Sequence, residues 1–151
     1  MNKNSQLTTL AKQIIRENKY LTLATADQFP WAAPIYYAVN DQQEFYFISQ
    51  LDSLHTQHIV KNHNVAFAIF DSHQPEGTGN GVQGSGKAYL VEKKEIVKEL
   101  RWYHSSFLPM KIKSFCGAAS YRFFKLIPEH IYILDPEATT DKRVEIFMNS
   151  I

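Results

Sequence analysis

Six histidines, His55, His58, His63, His73, His104 and His130, are the side chains of this chain that titrate nearest neutrality and ligate metals most readily. His55 and His58 stand three residues apart on a predicted helix, so both could reach one ion. A closed zinc site needs four ligands and a catalytic one three, however, and no glutamate or third ligand follows at a matching spacing. No metal site is expected. Nucleophilic chemistry fares no better: Ser85 lies in GSG without the full GxSxG pattern, and Cys116 lies in FCGA with no local cue for an activating base. Glu92, Glu95 and Glu99 read as a solvated helix face. With no catalytic residue to assign, chemistry in this chain would belong to a bound cofactor.

Five of the six glycines, Gly77, Gly79, Gly81, Gly84 and Gly86, fall within ten residues and suggest a phosphate loop. Gly79–Gly84 fits GxGxxG and Gly81–Lys87 fits GxxxxGK. Both motifs need a helix N-terminus after the loop, and a P-loop also needs Ser or Thr after the lysine. Here Lys87 is followed by Ala88 and a strand-like AYLV, so the cluster reads as a flexible entry into a strand with Gly84 or Gly86 at a bulge or close approach.

The elements that would position these residues follow from periodicity. Leu7, Leu10, Ala11, Ile14 and Ile15 recur at helical spacing. Strand-like segments rich in aromatic and β-branched residues follow at 20–26, 31–39, 44–49 and 65–70, with polar breaks at 27–30 and 40–43 that fit antiparallel hairpins. Asp52-Ser53 can cap a short helix over 54–62. A strand centred on 87–91, a charged helix over 92–106 and a strand pair, 121–127 and 130–134, turning at Pro128-Glu129, complete the pattern. The segment 108–119 has no clear period. About six mostly antiparallel strands with two or three short helices predict a mostly β (α+β) fold, a small closed or partly closed barrel that hides its edges. PIYYAV and EFYFIS place aromatics on both faces of a strand, and only one face can fill a small barrel. The other should be covered by a second subunit or a flat ligand.

Composition limits the partners. The chain has 151 residues, enough for one core, and is read as a single domain over 1–151. Charged residues are 21% and balance to net +1, which argues against a nucleic-acid-binding surface. No run of about 20 apolar residues predicts a membrane span, and the start lacks a signal-peptide pattern. A lone cysteine fits a reducing compartment, so a cytoplasmic location is expected.

In order, these pieces resemble the pyridoxamine 5'-phosphate oxidase-like family of FMN-binding split β-barrels. The resemblance covers roughly 7–134 and rests on five features. They are Pro34-Ile35-Tyr36-Tyr37, an aromatic strand ending in Ser49, Ser53 opening a helix, Asn62-His63, and a strand carrying Gln83, Gly86 and Ala88. It implies a six-stranded antiparallel split barrel, a homodimer and FMN sites in the grooves between subunits. It also implies that Ser49, Gln50, Ser53 and His55 hold the cofactor phosphate while Ile35, Tyr36 and Gln83 line the ring.

Two departures stand out. Vitamin B6 oxidases carry Arg-Lys after the serine where this chain has Leu54-His55, and their C-terminal substrate-binding tryptophan and arginine have no clear match. These argue against pyridoxamine phosphate oxidation itself and leave the small-molecule substrate of an FMN-dependent oxidoreductase open. The alternatives are a binding module of the same fold holding another flat ligand, such as haem with His55 or His58 as axial ligands, and a regulatory dimer without flavin.

Overall fold

The computed structural model describes residues 2–106 and 108–147. Helix α1, Lys3–Glu17, begins where the Asn2 side chain accepts the Ser5 N–H at 2.9 Å. Its apolar stripe, Leu7, Ala11, Ile14 and Ile15, is buried against the sheet. The rest of the chain is built from strands β1 (Tyr20–Ala26), β2 (Pro30–Tyr36), β3 (Ala38–Val39), β4 (Phe45–Gln50), β5 (Asn64–Phe70), β6 (Gly81–Leu90), β7 (Tyr121–Leu134) and β8 (Arg143–Ile146). Helix α2 (Leu54–Lys61) lies between β4 and β5, and helix α3 (Lys93–Glu99) follows β6.

All pairings are antiparallel, in the order β2-β1-β5-β6-β7-β4-β3 with β8 on β7. β2 and β3 lie at opposite edges of this sheet, yet only Tyr37 separates them in the chain. The sheet must therefore curl until its edges approach, which produces a split half-barrel. Tyr37 anchors the crossing: its ring is buried, its hydroxyl donates to the Ile15 carbonyl at 2.5 Å, and its N–H donates to the Lys19 carbonyl at 3.0 Å. Burial pushes its phenol pKa upward, so it stays a neutral donor.

Alternation sets the core. Leu21, Leu23, Ala33, Ile35, Phe45, Phe47, Phe67, Phe124 and Leu126 point inward, where Phe47 stacks on its cross-strand partner Phe124 at 5.2 Å. Such aromatic side chains contribute about 1.5–3 kcal/mol each on burial.

The structure corrects the predicted elements in three places. First, residues 121–134 form one continuous strand and not a hairpin. Pro128-Glu129 sits at a bulge, where pairing with β6 shifts from Ser85–His130 to Gly86–Pro128. Gly86 makes this possible: a Cβ there would lie 2.2 Å from the Ile127 carbonyl oxygen and 2.8 Å from the Pro128 Cα. Second, the charged helix stops at Glu99, continues as a 3₁₀ turn over Leu100–Trp102, and another 3₁₀ turn occupies Ile112–Phe115 in the segment without a period.

Third, the outer aromatic face of β4 needs neither ligand nor subunit. Tyr46 and Phe123 stack at 5.5 Å and are sealed by Val91, Ile96, Tyr103 and Phe115 from the chain's own segment after β6. Tyr36 on β2 does remain outward and 41% exposed. The late glycines lie inside β6, which starts at Gly81, so all of the GxxxxGK segment and most of GxGxxG are strand, not a flexible entry to one, and present no helix N-terminus.

Candidate functional site

Where β4 ends and α2 begins, three hydroxyls and an imidazole converge. Ser49 points inward at the last inward position of β4 and is 7% exposed. Its Oγ lies 2.6 Å from His55 Nε2 and 3.1 Å from Ser53 Oγ. Ser53 Oγ donates to the Gln50 carbonyl at 2.9 Å and sits 3.2 Å from His55 Nε2 and 2.7 Å from Thr56 Oγ1. Ser53 occupies the N-cap position of α2, yet it makes no side-chain cap hydrogen bond. The cluster thus places hydroxyl oxygens and His55 beside a helix start whose first-turn amides receive no cap from Ser53.

Burial, and secondarily the neighbouring His58, hold the His55 imidazole below its usual pKa. Its Nε2 is the ring nitrogen that shares a hydrogen bond with the Ser49 hydroxyl. His58 lies on the inner side of α2, is 3% exposed, hydrogen-bonds Thr25 Oγ1 through Nδ1 at 3.1 Å and meets the edge of Phe29 at 5.6 Å between ring centroids. It packs the helix onto β1 and is closed to any bulky ligand. Among the described residues, no group of three or more histidine, cysteine, aspartate or glutamate side chains could hold a metal ion.

The residues singled out from sequence separate into groups. Ser49, Ser53 and His55 meet. Gln50 alternates to the opposite face of β4, opposite Tyr121, and contributes only its carbonyl. Ile35 is 6% exposed and its side chain fills the barrel. Its backbone, however, lies on β2, which among the described residues pairs only with β1, so the other edge of that strand has no sheet partner among them. Tyr36 faces outward beside Tyr20, 5.4 Å away, and Tyr103, 5.9 Å away. Gln83 faces outward from β6, opposite Ala68 and Tyr132, with β7 between it and β4.

Three features escape sequence reasoning: the part of Thr56, the placement of Arg122 and the pairing of His130, itself one of the six histidines already singled out. Thr56 completes the hydroxyl cluster. Arg122 stands directly opposite Ser49 in the β4–β7 ladder. His130, on the outer face, is held at Nδ1 by Glu145 Oε1 at 2.7 Å. The last two depend on strand register, which no local signal in the sequence reveals.

Comparison with known proteins agrees with this fold. A family model described as pyridoxamine 5'-phosphate oxidase matches residues 7–135. The chain belongs to the pyridoxamine 5'-phosphate oxidase family. Similar solved structures include a Clostridium acetobutylicum protein related to general stress protein 26 of that family, with 11% identity and TM-score 0.69, covering 93% of this chain and 94% of that one. A haem-binding protein from Mycobacterium smegmatis matches with 15% identity and TM-score 0.71, covering 92% of this chain and 57% of that one. HutZ, the haem storage protein of Vibrio cholerae, matches with 17% identity and TM-score 0.65, covering 84% and 94%. This chain thus spans less than two thirds of some structural relatives and nearly all of others. No curated protein matches the sequence.

Within this pyridoxamine 5'-phosphate oxidase family member, the Ser49–Ser53–His55 cluster coincides with the motif that carried the sequence resemblance. The structure adds that its members touch one another, and that no helix among the described residues is long and apolar enough to cross a membrane.

Proposed function

We propose that this chain is a cytoplasmic, homodimeric FMN-binding flavoprotein of the split-barrel type, an oxidoreductase acting on a small substrate. The observation that carries this reading is the convergence of Ser49, Ser53, Thr56 and His55 at the start of α2. Three hydroxyls, an imidazole and free first-turn amides fit a phosphate monoester, whose oxygens are strong acceptors. The open edge of β2 at Ala33 to Tyr36 fits the polar rim of a flat heterocycle, and Tyr36 supplies an exposed aromatic wall. When bound, the flavin supplies hydride and electron transfer; the chain's residues hold, orient and shield it.

The dimer is supported by the outer sheet face. Thr22, Ala24, Ala32, Pro34, Ala66 and Ala68 form a smooth face of small side chains across β2, β1 and β5, bordered by the exposed rings of Tyr20, Tyr36 and Phe70. Gln83 lies on the adjoining strand and faces the same side, so a second copy seated there would bring it to the ring. Titrating the purified chain with FMN while following flavin fluorescence tests the proposal. Saturable quenching that weakens at least tenfold in Ser49→Ala and His55→Ala supports the site; no quenching rejects it.

The second reading is haem binding, favoured by His130, a half-exposed imidazole with Nδ1 fixed by Glu145 and Nε2 turned away from that partner. In that reading His130, and not the buried His58, is the candidate axial ligand. A Soret shift on haemin addition that disappears in His130→Ala is its signature.

A further inference from the structure

The phosphate cradle lacks the basic pair of its motif, because Leu54 and His55 stand where Arg-Lys would. A phosphate monoester nevertheless carries close to two negative charges at neutral pH. Hydroxyls and amides alone leave such a group poorly neutralised on leaving water. The missing positive charge must come from another element.

β4 itself carries no lysine or arginine. Lys61 lies at the far end of α2 and is ion-paired with Asp27 at 2.6 Å. β7 presents two cations on opposite faces. Lys125 shares the outer face with Tyr46 and is committed to Glu44 at 2.8 Å and Glu99 at 3.7 Å. Arg122 is the direct cross-strand partner of Ser49 and lies on the same face of the ladder. Opposed residues of that kind have Cβ atoms roughly 5 Å apart, well within the length of an arginine side chain.

The guanidinium of Arg122 makes no ion pair with any carboxylate among the described residues. It donates instead to three main-chain carbonyls, Gly117 at 2.8 Å and Ala119 in the turn before β7 and Tyr121 at 2.9 Å at the start of that strand. That turn is docked onto the β4–α2 loop, where the Leu51 N–H donates to the Ser120 carbonyl at 3.4 Å. A guanidinium has five N–H donors, and carbonyl dipoles position it without neutralising its charge. Its Nε–H and second Nη2–H have no partner among the described residues.

We infer that Arg122 is the phosphate-binding cation of this chain, replacing from β7 the basic pair absent after Ser53. This assignment rests on the flavin reading above. The turn carbonyls preorganise the guanidinium, and the serine cluster opposite it fixes where the anion sits. Arg122 therefore acts on the phosphate alone and has no role toward the isoalloxazine ring.

The test compares FMN with riboflavin, which has the same ring and lacks the phosphate, in the unaltered chain, Arg122→Gln, Arg122→Lys and the distant charge control Lys94→Gln. Thermal melts verify folding. The expected result is that Arg122→Gln weakens FMN about tenfold or more and leaves riboflavin affinity unchanged, as a lost charged hydrogen bond would, while Lys94→Gln changes neither. Unchanged FMN affinity in Arg122→Gln overturns the assignment, and so does equal weakening of both flavins, which would make Arg122 a structural residue. If Arg122→Gln does not fold, Arg122→Lys decides: it keeps the charge but loses the fork, so FMN must weaken severalfold relative to riboflavin, and no difference overturns the assignment. An unaltered chain that binds neither flavin rejects the flavin reading itself and the assignment with it.

Discussion

The two histidines of α2 share one helical turn and play different parts. His58 is sealed between Thr25 and Phe29, whereas His55 touches the serine cluster at the surface of the barrel end. Thr25→Val keeps the shape of its side chain but leaves His58 Nδ1 buried without a partner. A loss of about 1–3 kcal/mol is expected in urea unfolding, with Thr25→Ser recovering most of it. His55 makes stability depend on pH. Its folded pKa is depressed below the ordinary imidazole value, mainly by burial, so the unfolded chain takes up its proton first as pH falls. Its stabilising contribution is full above the unfolded pKa and is progressively lost as pH falls below it, down through the depressed folded pKa. The denaturation midpoint should therefore drop between about pH 7 and about pH 5, and His55→Gln should remove part of that drop; an identical pH profile in the variant would contradict the assignment. Sequence suggested His55 and His58 as one pair of ligands. What separates them is the Thr25 contact, which spans 33 residues of sequence and is invisible to helical spacing.

Single residues decide how the elements join. β7 runs unbroken past Pro128 because Gly86 lets the two backbones approach at the bulge. Gly86→Ala should cost about 3 kcal/mol, since the new methyl would meet main-chain atoms that cannot rotate away; calorimetric melting of the two proteins measures it. The Pro-Glu pair reads as a turn in sequence because proline usually ends a ladder. Only the partner strand shows that its missing N–H falls at an irregular position. Helix α3 is tied to the barrel by a buried polar network in which the Tyr46 hydroxyl donates to Glu99 at 2.5 Å and Lys125 approaches both Glu99 and Glu44. Burial, followed by the Glu99 carboxylate, pushes the Tyr46 pKa upward and keeps the hydroxyl a donor. Glu99 appears in sequence as one more charge on a solvated helix, and it is buried because α3 packs over the aromatic outer face of β4, where Tyr46 meets it. β1, β4, α2 and β5 were legible within a residue or two because their patterns are strong and their ends carry polar breaks, whereas the first helix was legible only from Leu7 and starts at Lys3.

For the whole molecule, closure through Tyr37 explains why a chain with strand edges at β2 and β3 forms a barrel and leaves a seam beside β2. The order of motifs along the sequence foretold this architecture, because family resemblance encodes topology that propensity cannot. Of the residues that the resemblance groups, Ser49, Ser53 and His55 meet, whereas Gln83 lies across the sheet with β7 between it and β4. A homodimer is accordingly expected in size-exclusion chromatography with light scattering, and Ala66→Arg on the smooth outer face should give a monomer that still melts cooperatively, at a lower temperature than the dimer. A wild-type monomer at working concentration would remove the shared groove. The proposed FMN site lies at the start of α2. Isothermal titration calorimetry of the unaltered chain with FMN tests it most directly: saturable binding at one FMN per chain, with a Kd of about micromolar or tighter, is the predicted result, and the absence of saturable binding would contradict it.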